Sequence, residues 1–143
     1  MKTVSQILNE KTKNEIITIE PNRPVIDALI IMAEYQIGAL LVMKNDKLVG
    51  IISERDYARD IILQGKSSKV SLIEEIMTKD VITLDASDSY SRGLEIMTEK
   101  RIRHLPVLEN KKVIGMVSLG DLAKETITHQ KFLIEQLESY IKN

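Results

Sequence analysis

Two stretches of the chain carry a glycine, a hydroxyl and a carboxylate at one spacing: Gly50-Ile51-Ile52-Ser53-Glu54-Arg55-Asp56 and Gly115-Met116-Val117-Ser118-Leu119-Gly120-Asp121. Each follows an apolar, β-rich run and reads as the junction of a strand with a helix. A carboxylate in the first turn of a helix can accept two hydrogen bonds from a vicinal diol such as a ribose presents. The backbone N–H groups and dipole of the same helix end favour a phosphate. A nucleoside phosphate fits that chemistry. Ser-x-x-Asp at a helix start is also an ordinary capping arrangement, in which hydroxyl and carboxylate satisfy each other's backbone N–H. Spacing supports both readings equally.

Other site chemistries find no footing. The glycines of Gly115 to Gly120 have phosphate-loop spacing, but Asp121 and Leu122 stand where that loop needs Lys and Ser or Thr. The sequence has no G-x-G-x-x-G after a strand, no G-x-S-x-G, no H-E-x-x-H and no Asp-rich calcium loop. With zero cysteines there is no disulfide, thiolate metal site or thiol nucleophile, which fits a reducing compartment. His104 and His129 are the two imidazoles and lie far apart in the chain. That argues against a metal centre or a histidine-based catalytic site, and His129 reads as a surface residue. His104 stands beside Arg103, with Arg101 just before it.

Twenty Lys plus Arg against 21 Asp plus Glu give a formal charge of -1, and the aromatic residues are one Phe and four Tyr. The basic field and the stacking platforms of nucleic-acid binders are both missing. The first twenty residues contain no apolar run long enough for a secretory or membrane segment, and Glu10 and Glu15 argue against a transit peptide. The expectation is a cytoplasmic protein with no membrane or nucleic-acid partner.

An internal repeat positions the two junctions. Shifting the sequence by about 65 residues lays residues 15–61 on 80–126 without a gap, with 15 identities in 47 positions. These include Thr18 on Thr83, Leu29 on Leu94, Ile37 on Ile102, Val42 on Val107, Gly50 on Gly115, Ser53 on Ser118 and Asp56 on Asp121. A unit near fifty residues buries its own faces poorly, so the two copies are expected to pack together. Each copy reads β-α-β-β-α. In the first, a strand at residues 16–19 precedes a turn, Pro21-Asn22-Arg23-Pro24. The following helix has Ile26, Leu29, Ile30 and Ala33 as its apolar face. Two apolar runs around the polar Lys44-Asn45-Asp46-Lys47 form a hairpin. A helix capped by Ser53 runs to about Gln64, with Gly65 as its stop.

Ser71 and Glu74 have capping-box spacing before a short linker helix. The tail places Phe132, Leu133, Leu137, Tyr140 and Ile141 on one helical stripe, which must cover either this core or a second subunit. The division expected is residues 1–65 as first repeat with an N-terminal segment and 66–79 as linker and short helix. Residues 80–128 follow as second repeat and 129–143 as C-terminal amphipathic helix.

The repeat resembles a tandem pair of cystathionine-beta-synthase (CBS) domains, a Bateman module, over about residues 5–128. It rests on the paired β-α-β-β-α units, the two Gly-x-x-Ser-x-x-Asp junctions and Leu105-Pro106-Val107. The runs Ser53 to Tyr57 and Arg101 to Val107 look like those of small stand-alone CBS-pair proteins. The resemblance implies an α/β (α+β) fold, two repeats packed with pseudo-two-fold symmetry, and a regulatory binder of AMP, ADP, ATP, NAD(H) or S-adenosylmethionine. It implies no catalysis and no required cofactor.

In this family two clefts lie between the repeats, each using strand segments of one and the Ser-x-x-Asp junction of the other. The resemblance carries Ser53, Arg55, Asp56, Thr83, Ile102, Arg103 and His104 to the first cleft. It carries Thr18, Ile37, Gly38, Ala39, Ser118 and Asp121 to the second. Arg55, Arg103 and His104 suit the first to phosphates, whereas Gly120, Gly38 and Ala39 occupy the matching positions of the second. The first is therefore expected to bind nucleotide more tightly. The family also implies a homodimer, with an unidentified effector protein as a further partner. A structural dimerisation module with vestigial clefts, and less so a nucleotide hydrolase using Asp56 or His104, are the rival readings.

Overall fold

The computed structural model describes residues 2–11 and 16–142. Its elements in chain order are α1 (Val4–Glu10), β1 (Thr18–Ile19), α2 (Val25–Tyr35), β2 (Ala39–Lys44), β3 (Lys47–Ser53) and α3 (Glu54–Tyr57). There follow α4 (Ile73–Ile76), β4 (Leu84–Asp85), α5 (Tyr90–Lys100), β5 (His104–Glu109), β6 (Lys112–Ser118) and α6 (Leu119–Lys142). The chain divides into two units. One is Ile16–Ile82; the other runs from Thr83 onward and includes the α1 segment.

In the first unit β1 pairs parallel with β2, the crossover being α2, and β2 pairs antiparallel with β3. Asn45 and Asp46 both take positive φ, 52° and 62°, the two-residue turn that matches hairpin twist. The second unit repeats the plan: β4 is parallel to β5, β5 antiparallel to β6, and Asn110 and Lys111 turn the hairpin at φ 52° and 66°. Both hairpins shift register just after the paired valines, at Val42/Met43 and Val107/Leu108.

The core of the first unit collects Ile19, Val25, Ala28, Met32, Leu40, Val42, Ile52 and Ile61. The buried face of α2 is therefore Val25, Ala28 and Met32; of the stripe that spacing suggests, Leu29 packs against this core, whereas Ile30, 57% exposed, and Ala33 face outward. Apolar residues stand on most sides of this helix, so the 3.6-residue period fits more than one face. Contact with the sheet selects among them.

Three further local expectations are modified in the structure. Ser71 does not cap α4: Leu72 holds the N-cap position with no side-chain bond. The leading N–H groups of α4 instead reach carbonyls of the β1–α2 turn, Ile73 to Arg23 at 2.9 Å and Glu74 to Pro21 at 2.9 Å. The helix begun at Ser53 is α-helical only to Tyr57 and continues as one π-turn, Ala58–Ile62. Gly65 then ends it at φ 64°. The α1 segment, expected with the first repeat, belongs to the second unit: Val4, Ile7 and Leu8 are buried. The Val4 and Ser5 N–H groups donate to Asp88 and Ala86 carbonyls at 2.8 and 3.0 Å.

α6 continues through the expected boundary at residue 128 as one helix of 24 residues. Leu122 is buried, and the half-buried His129 meets Tyr90 edge-on at a ring separation of 6.4 Å, so it is not a plain surface histidine. From Gln130 to Lys142 every side chain is exposed, Phe132, Leu133, Leu137, Tyr140 and Ile141 among them.

Candidate functional site

Both junctions are built as capping boxes. At the end of β3, Ser53 Oγ accepts from the Asp56 N–H at 3.2 Å, and Asp56 Oδ2 accepts from the Ser53 N–H at 2.9 Å and its hydroxyl at 3.0 Å. At the end of β6, Ser118 Oγ accepts from the Asp121 N–H at 3.1 Å and Asp121 Oδ2 accepts from the Ser118 N–H at 2.8 Å. Capping is thus realised at both places. It does not consume the carboxylates, since each offers about four lone-pair sites.

The two carboxylates differ in what else they hold. Asp56 Oδ1 accepts from Arg59 Nη2 at 2.9 Å, and its side chain is 7% exposed. Asp121 Oδ2 also accepts from Lys11 Nζ at 2.9 Å, its side chain is 23% exposed, and none of these bonds engages its Oδ1. Burial pushes the Asp121 carboxyl upward. The Ser118 N–H, the Lys11 hydrogen bond and the Lys11 charge outweigh it and hold the group below the ordinary aspartate range.

Arg59 and Lys11 are the two residues that sequence reasoning missed. Arg59 lies at i+3 from Asp56, a spacing that signals helical pairing. Lys11 is 110 residues from Asp121 and left no local signal.

Within each unit the strand start and the junction are neighbours. Ala39 pairs with Ser53, and the Gly38 carbonyl accepts from the Glu54 N–H at 3.1 Å. His104 pairs with Ser118, and the Arg103 carbonyl accepts from the Leu119 N–H at 2.8 Å. Ile37 and Ile102 donate their N–H groups to Met32 and Met97, at 3.0 and 3.1 Å, as the helices α2 and α5 end. So Ile37, Gly38 and Ala39 gather with Ser53 and Asp56 in one unit, while Ile102, Arg103 and His104 gather with Ser118 and Asp121 in the other. Arg55 and Arg103 are exposed, and His104 and Thr83 half-buried. Thr18, exposed on β1, lines a hollow of about 570 Å³ whose charged lining is Glu20, Arg23, Lys44, Asp46 and Glu74.

Gly50 has a structural task. A Cβ there would stand 2.6 Å from Met77 Sδ and 3.0 Å from the Thr78 carbonyl oxygen. Its bareness lets Thr78 pair with Ile51, through N–H to O bonds of 3.0 and 2.9 Å.

Two β-α-β-β-α units, each ending a hairpin in a Ser-x-x-Asp junction beside a strand start, define a tandem pair of CBS domains. The CBS domain family model matches residues 4–62 and 73–127, and the chain belongs to that family. It is 36% identical to the mitochondrial CBS domain-containing protein CBSX3 of Arabidopsis thaliana, over 98% of this chain and 72% of that protein. A solved protein with CBS domains from Burkholderia ambifaria superposes with a TM-score of 0.86 at 48% identity, covering 90% of this chain and 96% of the other. The CBS domain pair of protein MJ0100, solved in complex with 5′-methylthioadenosine and S-adenosyl-L-methionine, gives 0.79 at 28% identity, covering 90% and 98%.

Proposed function

We infer that this protein is a regulatory module that binds an adenosyl ligand at its two Ser-x-x-Asp junctions. The observation that carries this reading is their matched construction. Each junction sets a capped carboxylate, a hydroxyl and helix N–H groups beside the start of the neighbouring strand. That combination supplies acceptors for a diol and donors for a phosphate. The adenosyl compounds in the MJ0100 complex support the ligand class. Candidates are AMP, ADP, ATP, NAD(H) and S-adenosylmethionine.

The family resemblance, and not the grouping within each unit, assigns Ser53, Arg55 and Asp56 with Thr83, Ile102, Arg103 and His104 to one ligand set and Ser118 and Asp121 with Thr18, Ile37, Gly38 and Ala39 to the other. Three basic side chains suit the first to polyphosphates. Catalysis is not part of the proposal. Among the described residues no group of three or more His, Cys, Asp or Glu is placed to hold a metal ion. A ligand would act by favouring whichever arrangement of the protein it binds better. The signal would pass to a second copy of the chain or an effector protein. Among the described residues no helix is long and apolar enough to cross a membrane; the cytoplasm is proposed as the setting.

Calorimetry on the wild type, Asp56→Ala and Asp121→Ala with ATP, AMP, NADH and S-adenosylmethionine tests the reading. The expected result is binding by at least one ligand, with Asp56→Ala losing more ATP affinity than Asp121→Ala. Binding that neither substitution weakens overturns the assigned sites. A second reading, a dimerisation scaffold whose junctions only cap helices, is favoured by the 7% exposure of Asp56. A thermal-shift screen separates the two, because a ligand at about 100 times its dissociation constant adds about 2.7 kcal/mol of stability.

A further inference from the structure

Resting on the adenosyl-ligand reading of the Asp121 junction, we propose that Lys11 is the cation of that site. It balances the carboxylate so that a ligand with an anionic group is accepted there. While Arg103 and His104 stand on the neighbouring strand start, the turn from Ser118 to Asp121 carries no basic side chain of its own, Gly120 standing where the first junction has Arg55. The fold supplies one from the far end of the chain. Lys11 Nζ donates to Asp121 Oδ2 at 2.9 Å and to the Met116 carbonyl at 3.2 Å, which occupies two of the three ammonium protons. Its side chain is 30% exposed, so the head is neither sealed off nor loose in water.

The position is fixed by packing. Lys11 is the C-cap of α1, its N–H donating to Leu8 at 3.2 Å, and α1 is anchored by the buried Val4, Ile7 and Leu8. A cation at a helix C-terminus is also favoured by the helix dipole. Met116 and Asp121 flank Ser118, so the ammonium lies against the same strand end whose hydroxyl and helix N–H groups would face a ligand. Without it, an aspartate in this half-buried place would repel a phosphate while still accepting ribose hydroxyls. Lys11 therefore sets selectivity for the charge of the ligand, whereas Asp121 sets the grip on its sugar.

The test is calorimetry with AMP and with adenosine, in an Asp56→Asn background that isolates the Asp121 site. Lys11→Met, Lys11→Arg and Asp121→Asn are compared, each checked for folding by its thermal melt. Lys11→Met is expected to weaken AMP about tenfold, as removal of one nearby charge in a partly screened site would. Adenosine should stay within about twofold, and Lys11→Arg should retain AMP binding. Equal weakening of AMP and adenosine, or no change in AMP, overturns the proposal while leaving the site in place. If Asp121→Asn leaves both ligands unaffected, the site reading itself has failed. Lys11→Met against Lys11→Arg in the otherwise native chain gives the same comparison should the Asp56→Asn background not fold.

Discussion

Asp56 and Asp121 are the same residue in the same capping box, yet their surroundings give them different tasks. Asp56 is closed over by Arg59 from its own helical stretch, while Asp121 shares one oxygen between Ser118 and Lys11. The lowered pKa of Asp121 fixes the sign of a pH effect. A carboxyl whose folded value lies below its unfolded value, about 3.9, stabilises the fold fully above that value. The contribution is lost as pH falls through the folded one. Urea unfolding of the wild type and Asp121→Ala at neutral pH should therefore differ by about 1 kcal/mol, the scale of a capping interaction. The difference should shrink as the solution is acidified below the ordinary aspartate range. A difference that is constant over this range contradicts the assignment of the stability to the ionised carboxylate. The pairing of Ser53 with Asp56 was legible in the sequence because its partners are three residues apart and any helix start brings them together. Lys11 was not, because only the burial of α1 against the second unit delivers it.

At the scale of elements, local chemistry predicted what local forces decide. The first hairpin came from a polar pair able to take positive φ, Asn45-Asp46, and the second unit turns in the same way at Asn110-Lys111. The helix start at Ser53 came from a hydroxyl in reach of an N–H three residues on. Expectations failed where a distant backbone took over, as when carbonyls of the β1–α2 turn replaced Ser71 at the head of α4. The repeat alignment also lays Ala28 of α2 on Gly93 of α5, and the difference has a packing cause. A Cβ at Gly93 would lie 2.7 Å from Leu122 Cδ1 and 3.1 Å from Leu84 Cδ1, and both leucines are at most 1% exposed. Alanine would gain about 1 kcal/mol of helix propensity but must push two fully buried side chains aside, an overpacking that costs about 1–3 kcal/mol. Gly93→Ala should lower stability by about 1 kcal/mol in chemical denaturation. A rise of that size would mean that the α5–α6 contact yields freely.

For the whole molecule the open question is what covers the second half of α6. Ile127, Ile134 and Ile141 recur every seven residues, with Leu137 on the same seam, and all four are more than half exposed. We propose a second copy of this chain as the occupant, because the charges along the helix are self-complementary in one orientation. An antiparallel partner brings Ile134 against Leu137 and Gln130 against Ile141, and it places Lys131 near Glu138 twice, by symmetry, along one flank of the seam. Two heptads are fewer than an autonomous coiled coil needs, so the association should be a concentration-dependent equilibrium. Sedimentation velocity across a wide concentration range is expected to show monomer passing into dimer. Ile134→Glu should hold the protein monomeric without lowering its melting temperature at high dilution, since that side chain is more than half exposed. Lys131→Glu should weaken the dimer, and Lys131→Glu combined with Glu138→Lys should restore it. A mass that stays monomeric at every concentration removes the proposal, and so does a dimer indifferent to Ile134→Glu. A charge swap that fails to rescue Lys131→Glu would overturn the antiparallel arrangement.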